Sequence, residues 1–159
     1  DNDSSSDVSN KTFEELFLRK PDLPKEGWND PSIQISEESN QATWMIQRGD
    51  QDRFDQVDQT IFKEENISDA ESKFDETTLE SFSQIEKDES QSLDIGDESQ
   101  WQAGTGDTPN FNGSLATDLI KMRNENIVTV LSWATSPPES HDIEMSDIEM
   151  VARTVQNKF

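Results

Sequence analysis

The 159-residue chain carries 35 acidic and 13 basic side chains, a formal charge of -22, and only 30% of its residues are hydrophobic. It has no cysteine, which excludes a disulfide scaffold, a thiolate metal site and a cysteine nucleophile. One histidine, His141, excludes any site needing two imidazoles.

Ordering each residue costs roughly 1–2 kcal/mol of backbone entropy, and buried apolar surface must offset that. A chain this polar offers little to bury, and its acids repel one another. The predicted fold class is therefore mostly disordered or extended, with short amphipathic α-helices and no independent globular core. The first residue is Asp1, so the chain is expected to be processed or a fragment.

Residues 1–10 read as a disordered Ser/Asp/Asn tail. Residues 11–20 predict a short amphipathic helix. Thr12 and Glu15 have capping-box spacing, and Phe13, Leu16 and Phe17 fall on one face. Residues 21–51 read as a proline-rich polar linker, within which Ser32 to Ser36 alternates like a short strand. Residues 52–87 predict one or two acidic helices. Phe54, Val57 and Ile61 share a helical face in the first. Ser68 and Glu71 read as a start signal for the second, which carries Phe74, Phe82 and Ile85.

Residues 88–113 read as a second polar linker. Residues 114–134 are the most apolar stretch. Leu115, Leu119, Met122, Ile127 and Leu131 follow a helical face, which predicts a helix over 114–125. The β-branched run to Trp133 leaves 126–134 open between helix and strand, with strand favoured. Residues 135–159 form a predicted tail holding a tandem Asp-Ile-Glu-Met repeat at 142–145 and 147–150.

Charge is uneven along the chain. Residues 54–106 hold 15 acids and 3 bases, against 8 and 4 in residues 107–159. This sign disfavours direct nucleic-acid binding and anionic membranes, and makes a basic protein surface the natural partner. No apolar run approaches the 18 residues of a membrane-spanning helix.

Site chemistry is sparse. Asp50 to Asp55 has acids near the start of a calcium loop but lacks its glycine. Arg48-Gly49-Asp50 is an integrin-type tripeptide, more simply read as a turn. The sequons at Asn10, Asn66 and Asn112 matter only in a secreted chain. Thr108 and Ser136 precede prolines and Ser146 precedes an acid at three residues, so these are the candidate phosphorylation sites. His141 reads as a solvated surface imidazole. No catalytic constellation and no cofactor motif is present, so the reading is non-enzymatic.

Residues 144–153, Glu144-Met145-Ser146-Asp147-Ile148-Glu149-Met150-Val151-Ala152-Arg153, resemble the segment leading into the jelly roll of picorna-like virus capsid proteins. That resemblance implies a polyprotein product serving as an extended arm or minor virion component.

The expected function is docking on a protein partner or large assembly. The anchors are Phe13, Leu16, Phe17, Phe74, Phe82, Ile85, Leu115, Leu119, Met122, Ile127, Leu131 and Trp133, with the main contact in the C-terminal third. A regulator of the transcription-activation type is the alternative, since residues 12–18 mix aromatics with acids.

Overall fold

The computed structural model describes residues 11–49, 52–107 and 113–159. Seven strands form one antiparallel sheet: β1 (Ser32–Ser36), β2 (Gln41–Gly49), β3 (Phe54–Lys63), β4 (Glu89–Leu93), β5 (Glu98–Asp107), β6 (Ser114–Asn124) and β7 (Ile127–Ser136). Their spatial order is β1-β2-β3-β7-β6-β5-β4. Four α-helices among the described residues complete the fold: α1 (Phe13–Leu16), α2 (Ile67–Glu76), α3 (Leu79–Ser83) and α4 (Met145–Gln156).

The predicted disordered chain is thus corrected to a folded sheet domain. The physical reason is economy of burial. The sheet is covered on both faces, so the few apolar residues serve two cores. On one face the N-terminal segment and α4 cover Trp44, Ile46, Val57, Ile61, Leu131 and Trp133. On the other, α2 and α3 cover Leu115, Leu119, Val128 and Val130.

The predicted helix over 114–125 is strand β6, and the segment left open is β7. Asn124 pairs with Ile127, so only Glu125 and Asn126 make the turn. Both faces of these strands are buried, which erases polar alternation and leaves a continuous apolar run. Lys121 lies buried on β6 and donates to the carbonyl of Phe74 in the last turn of α2. Its Nζ also sits 4.3 Å from the Phe74 ring centroid. Burial pushes the Lys121 pKa down.

The first part of the helical stretch predicted over 52–87, the part carrying Phe54, Val57 and Ile61, is strand β3. Its core-facing positions are Asp55, Val57, Gln59 and Ile61, so polar residues interrupt the alternation. The buried Gln59 amide accepts from the Leu18 N–H at 2.7 Å and donates to the Leu16 carbonyl at 2.8 Å. It clips the N-terminal segment to the sheet. Gln59→Ala leaves two buried backbone groups without partners and is expected to cost about 2–4 kcal/mol. Denaturant unfolding gives the loss, and limited proteolysis should cut first within residues 12–31.

The helix predicted from Ser68 is α2, but Asn66 caps it, accepting from the Asp69 N–H at 2.7 Å. The predicted box at Thr12 and Glu15 is present in α1. The proline-rich linker holds β1 and β2, and its Trp28 is buried edge-on to Trp133 at 5.4 Å. The second polar linker holds β4 and β5. Residues 144–153 make the N-cap and first turns of α4. The repeat places Ile143 before the helix and Ile148 within it, both in the core.

Candidate functional site

The docking anchors named from the sequence are brought together, but as core. Phe13, Leu16, Phe17, Met122, Ile127, Leu131 and Trp133 lie in the first apolar cluster. Phe74, Ile85, Leu115 and Leu119 lie in the second, with Phe82 packed half-buried against it. In the folded chain these side chains meet one another rather than solvent.

Of the modification candidates, Ser146 is exposed in the first turn of α4. The Ser136 hydroxyl donates to the Ser114 carbonyl at 3.1 Å. Thr108 lies outside the described residues, as do Asn10, Asp50 and Asn112.

The densest polar chemistry surrounds Asp55, which is fully buried at one end of the sheet. Five donors converge on its carboxylate. Arg48 Nε lies at 3.0 Å, Arg53 Nε and a terminal nitrogen at 2.8 and 3.1 Å, Trp133 Nε1 at 3.1 Å and Thr135 Oγ1 at 2.7 Å. Burial alone would raise the Asp55 pKa, but the hydrogen bonds from Arg53, Thr135 and Trp133 outweigh it and hold it down. Arg53 also reaches Asp142 at 2.8 Å, and Lys25 reaches the same carboxylate at 2.9 Å. These hydrogen bonds, Arg53 first, hold Asp142 well below the usual carboxylate range. Asp55 thus acts as a structural acceptor. No cluster of metal-ligating side chains occurs among the described residues.

The network continues to His141. Its ring is nearly buried, so the expected solvated imidazole is corrected. The short helical turn Pro138–Ser140 folds back against β6 and β7 and carries the ring inward. Nδ1 lies 2.7 Å from Thr135 Oγ1, and Nε2 lies 2.8 Å from Asp118 Oδ1. Thr135 gives its proton to Asp55, so Nδ1 donates to Thr135. Asp118 in turn accepts from Trp101 Nε1 at 2.9 Å. A histidine–carboxylate pair is general-base chemistry. Here both ring nitrogens are engaged, and the adjacent hydroxyl, Thr135, is itself buried and donating. The arrangement ties β3, β7, β6 and β5 together through side chains.

Sequence reasoning did not single out the surface of β1. This edge strand is exposed along its whole length. Ile33 is 51% exposed and Ile35 is 39% exposed. Both point to the same face, since the register sets them opposite Trp44 and Ala42. The signal was available in the alternation of residues 32–36, which the polar linker reading set aside.

An open cleft adjoins this face, and a second lies beyond it. The first, about 530 Å³, is lined by Glu15, Phe17, Pro31, Ile33, Trp44 and Lys158. The second, about 570 Å³, shares Glu15 and extends to Asn124, Glu125, Gln156 and Phe159. No helix of the described residues is long and apolar enough to cross a membrane. No protein-family model, curated protein or solved structure matches the chain.

Proposed function

We propose that the chain is a non-enzymatic acidic binding domain that takes an extended segment of a basic protein partner onto the open edge of β1. The observation that carries this reading is the pair Ile33 and Ile35, exposed on an edge strand without a charged residue. Edge strands are ordinarily blunted by charge, proline or cover, because their free backbone groups template further pairing. Here a chain of -22 leaves one edge uncharged. Strand addition supplies main-chain hydrogen bonds, and Ile33 and Ile35 supply side-chain contacts on alternate positions. The surrounding acids select a basic partner and speed its approach.

The test uses the full chain and a peptide of alternating valine and lysine. The backbone amides of β1 should gain protection from hydrogen exchange on binding. Affinity should fall as salt is added, because the attraction is screened. Ile33→Lys with Ile35→Lys should weaken binding at least about tenfold, since both the apolar contact and the charge match are lost. Unprotected β1 amides at saturating peptide would reject the reading. Ser32-Ile33-Gln34-Ile35-Ser36 also reads the same in both directions, so two copies could pair about Gln34. A dimer that tightens with salt, with β1 amides protected without peptide, would assign the edge to a second copy and overturn the basic-partner reading.

A further inference from the structure

We infer that the cleft at the C-terminal end of α4 receives a single basic side chain, lysine or arginine, together with a carbonyl of its own peptide backbone. The inference deepens the reading of the chain as an acidic binding domain and rests on it for the source of that side chain.

The cleft is built from the turn between β4 and β5, the turn between β6 and β7, the last turn of α4, and the start of α1. Two buried atoms there have no partner among the described residues. They are the amide nitrogen Nδ2 of Asn124 and the amide oxygen Oε1 of Gln156. Asn124 is only 7% exposed, so its unmatched N–H group is a buried donor without an acceptor. Buried polar groups are almost always satisfied, which makes such a pair a signal. The occupant therefore offers an acceptor to Asn124 and a donor to Gln156.

Charge decides the nature of the donor. Glu15, Asp97, Glu125 and Lys11 line the cleft; Lys11 lies 3.8 Å from Glu15 and Arg123 reaches Asp97 at 3.4 Å, so the excess negative charge is that of the Glu125 carboxylate. The C-terminal end of a helix adds partial negative charge. The donor is thus cationic. A bare metal ion is disfavoured, since it has no acceptor for Asn124 and would face an N–H. An inorganic anion is repelled by the carboxylates that line the cleft, and a polyamine has no acceptor. A lysine or arginine residue has both groups a few bonds apart. Phe159 lines the same cleft, and its ring suits the methylene stem or the cation itself. The neighbouring cleft runs from the shared Glu15 to Ile33, so a segment lying on β1 could reach this site.

The probe is N-acetyl-arginine amide, titrated into the full chain labelled with nitrogen-15. Agmatine, which has the cation but no carbonyl, and N,N-dimethylacetamide, which has the carbonyl but no N–H donor, are the comparison ligands. The expected result is that the side-chain amide resonances of Asn124 and Gln156 move with the first ligand. Both comparison ligands should bind at least about tenfold more weakly, since each satisfies one group and strands the other. Glu125→Gln should weaken binding by about threefold while leaving the circular dichroism spectrum unchanged. Amide resonances that stay fixed throughout would overturn the inference and leave bound water as their partner. Agmatine binding as tightly as the amide would overturn the acceptor role of the peptide carbonyl. The Ile33→Lys, Ile35→Lys variant separates the two readings. If it binds the arginine amide normally but no longer binds peptide, both stand. If the original chain binds the amide yet β1 is never protected by peptide, the strand-edge reading fails alone.

Discussion

Asp55→Ala is expected to remove about 3–5 kcal/mol of folding stability, a large share of what a domain of this size possesses. The carboxylate is fully buried and accepts from Arg48, Arg53, Trp133 and Thr135. Deleting it strands the Trp133 indole N–H and the Thr135 hydroxyl in the interior, and leaves Arg48 with the Glu26 carbonyl and Arg53 with Asp142 as acceptors. Thr135 would then lose the acceptor that fixes its proton, and the hydrogen bond from His141 would lose its orientation. Equilibrium unfolding in urea measures the loss, and a change below about 1 kcal/mol would show that the network is dispensable. Asp55→Asn should fall between, because an amide keeps one acceptor but meets Arg53 with a donor.

The same groups set the acid limit of the fold. Asp55 and Asp142 both have pKa values depressed in the folded state. A depressed carboxylate stabilises the fold fully above its unfolded value, about 4. That stability is lost as pH falls below about 4 toward the folded-state values. Asp58 has the opposite sign. Burial raises its pKa, against hydrogen bonds from Gln56 and Ser132, so its ionisation opposes folding near neutrality. Stability should therefore hold from neutral pH to about 4 and drop steeply below. Asp55→Asn should flatten that drop.

Trp133→Ala is expected to cost about 3–5 kcal/mol as well, for a different reason. Trp133 is 1% exposed and sits opposite Val57 on the central strand pair. Its ring meets Trp28 at 71° between planes. Truncation opens a cavity between the sheet and the N-terminal segment, and also removes one donor to Asp55. Trp133→Phe separates these effects by restoring most of the volume without the N–H. It should recover more than half of the loss. The double variant Asp55→Ala, Trp133→Ala should lose less than the sum of the singles, by about 0.5–3 kcal/mol, because they share a hydrogen bond. Loss of secondary structure by circular dichroism should coincide with the tryptophan fluorescence change, as one cooperative transition.

Local signals in the sequence were legible where they were short-range. The capping box of Thr12 and Glu15 depends on four residues and is present. The alternation in residues 32–36 is a strand. What misled was the level at which burial was judged. Composition suggested too little apolar surface for a core, yet three layers let nearly every large apolar residue find cover. In β3 the polar Asp55 and Gln59 take core positions because each has dedicated buried partners far along the chain. Those partners, at Leu16, Leu18, Trp133 and Thr135, are invisible to any local window. In β6, burial on both faces removed the period that distinguishes strand from helix. The candidate binding surface was harder still, since the unmatched Asn124 and Gln156 are brought together only by the turn between β6 and β7 and the end of α4.

The strand order carries a consequence for assembly of the fold. Every strand pairing joins neighbours in sequence except one, β3 with β7. Residues 32–63 and 89–136 are thus two local meanders, whose strands are joined by connections of few residues and can zip at little loop-closure cost. The seam sets Phe54 against Ser136 and Lys63 against Ile127, and closes only after both meanders exist. The rate of folding is then governed by that single distant encounter rather than by the size of the sheet. Severing the chain between the two meanders, in the stretch holding α2 and α3, would yield two pieces whose natural complement is each other.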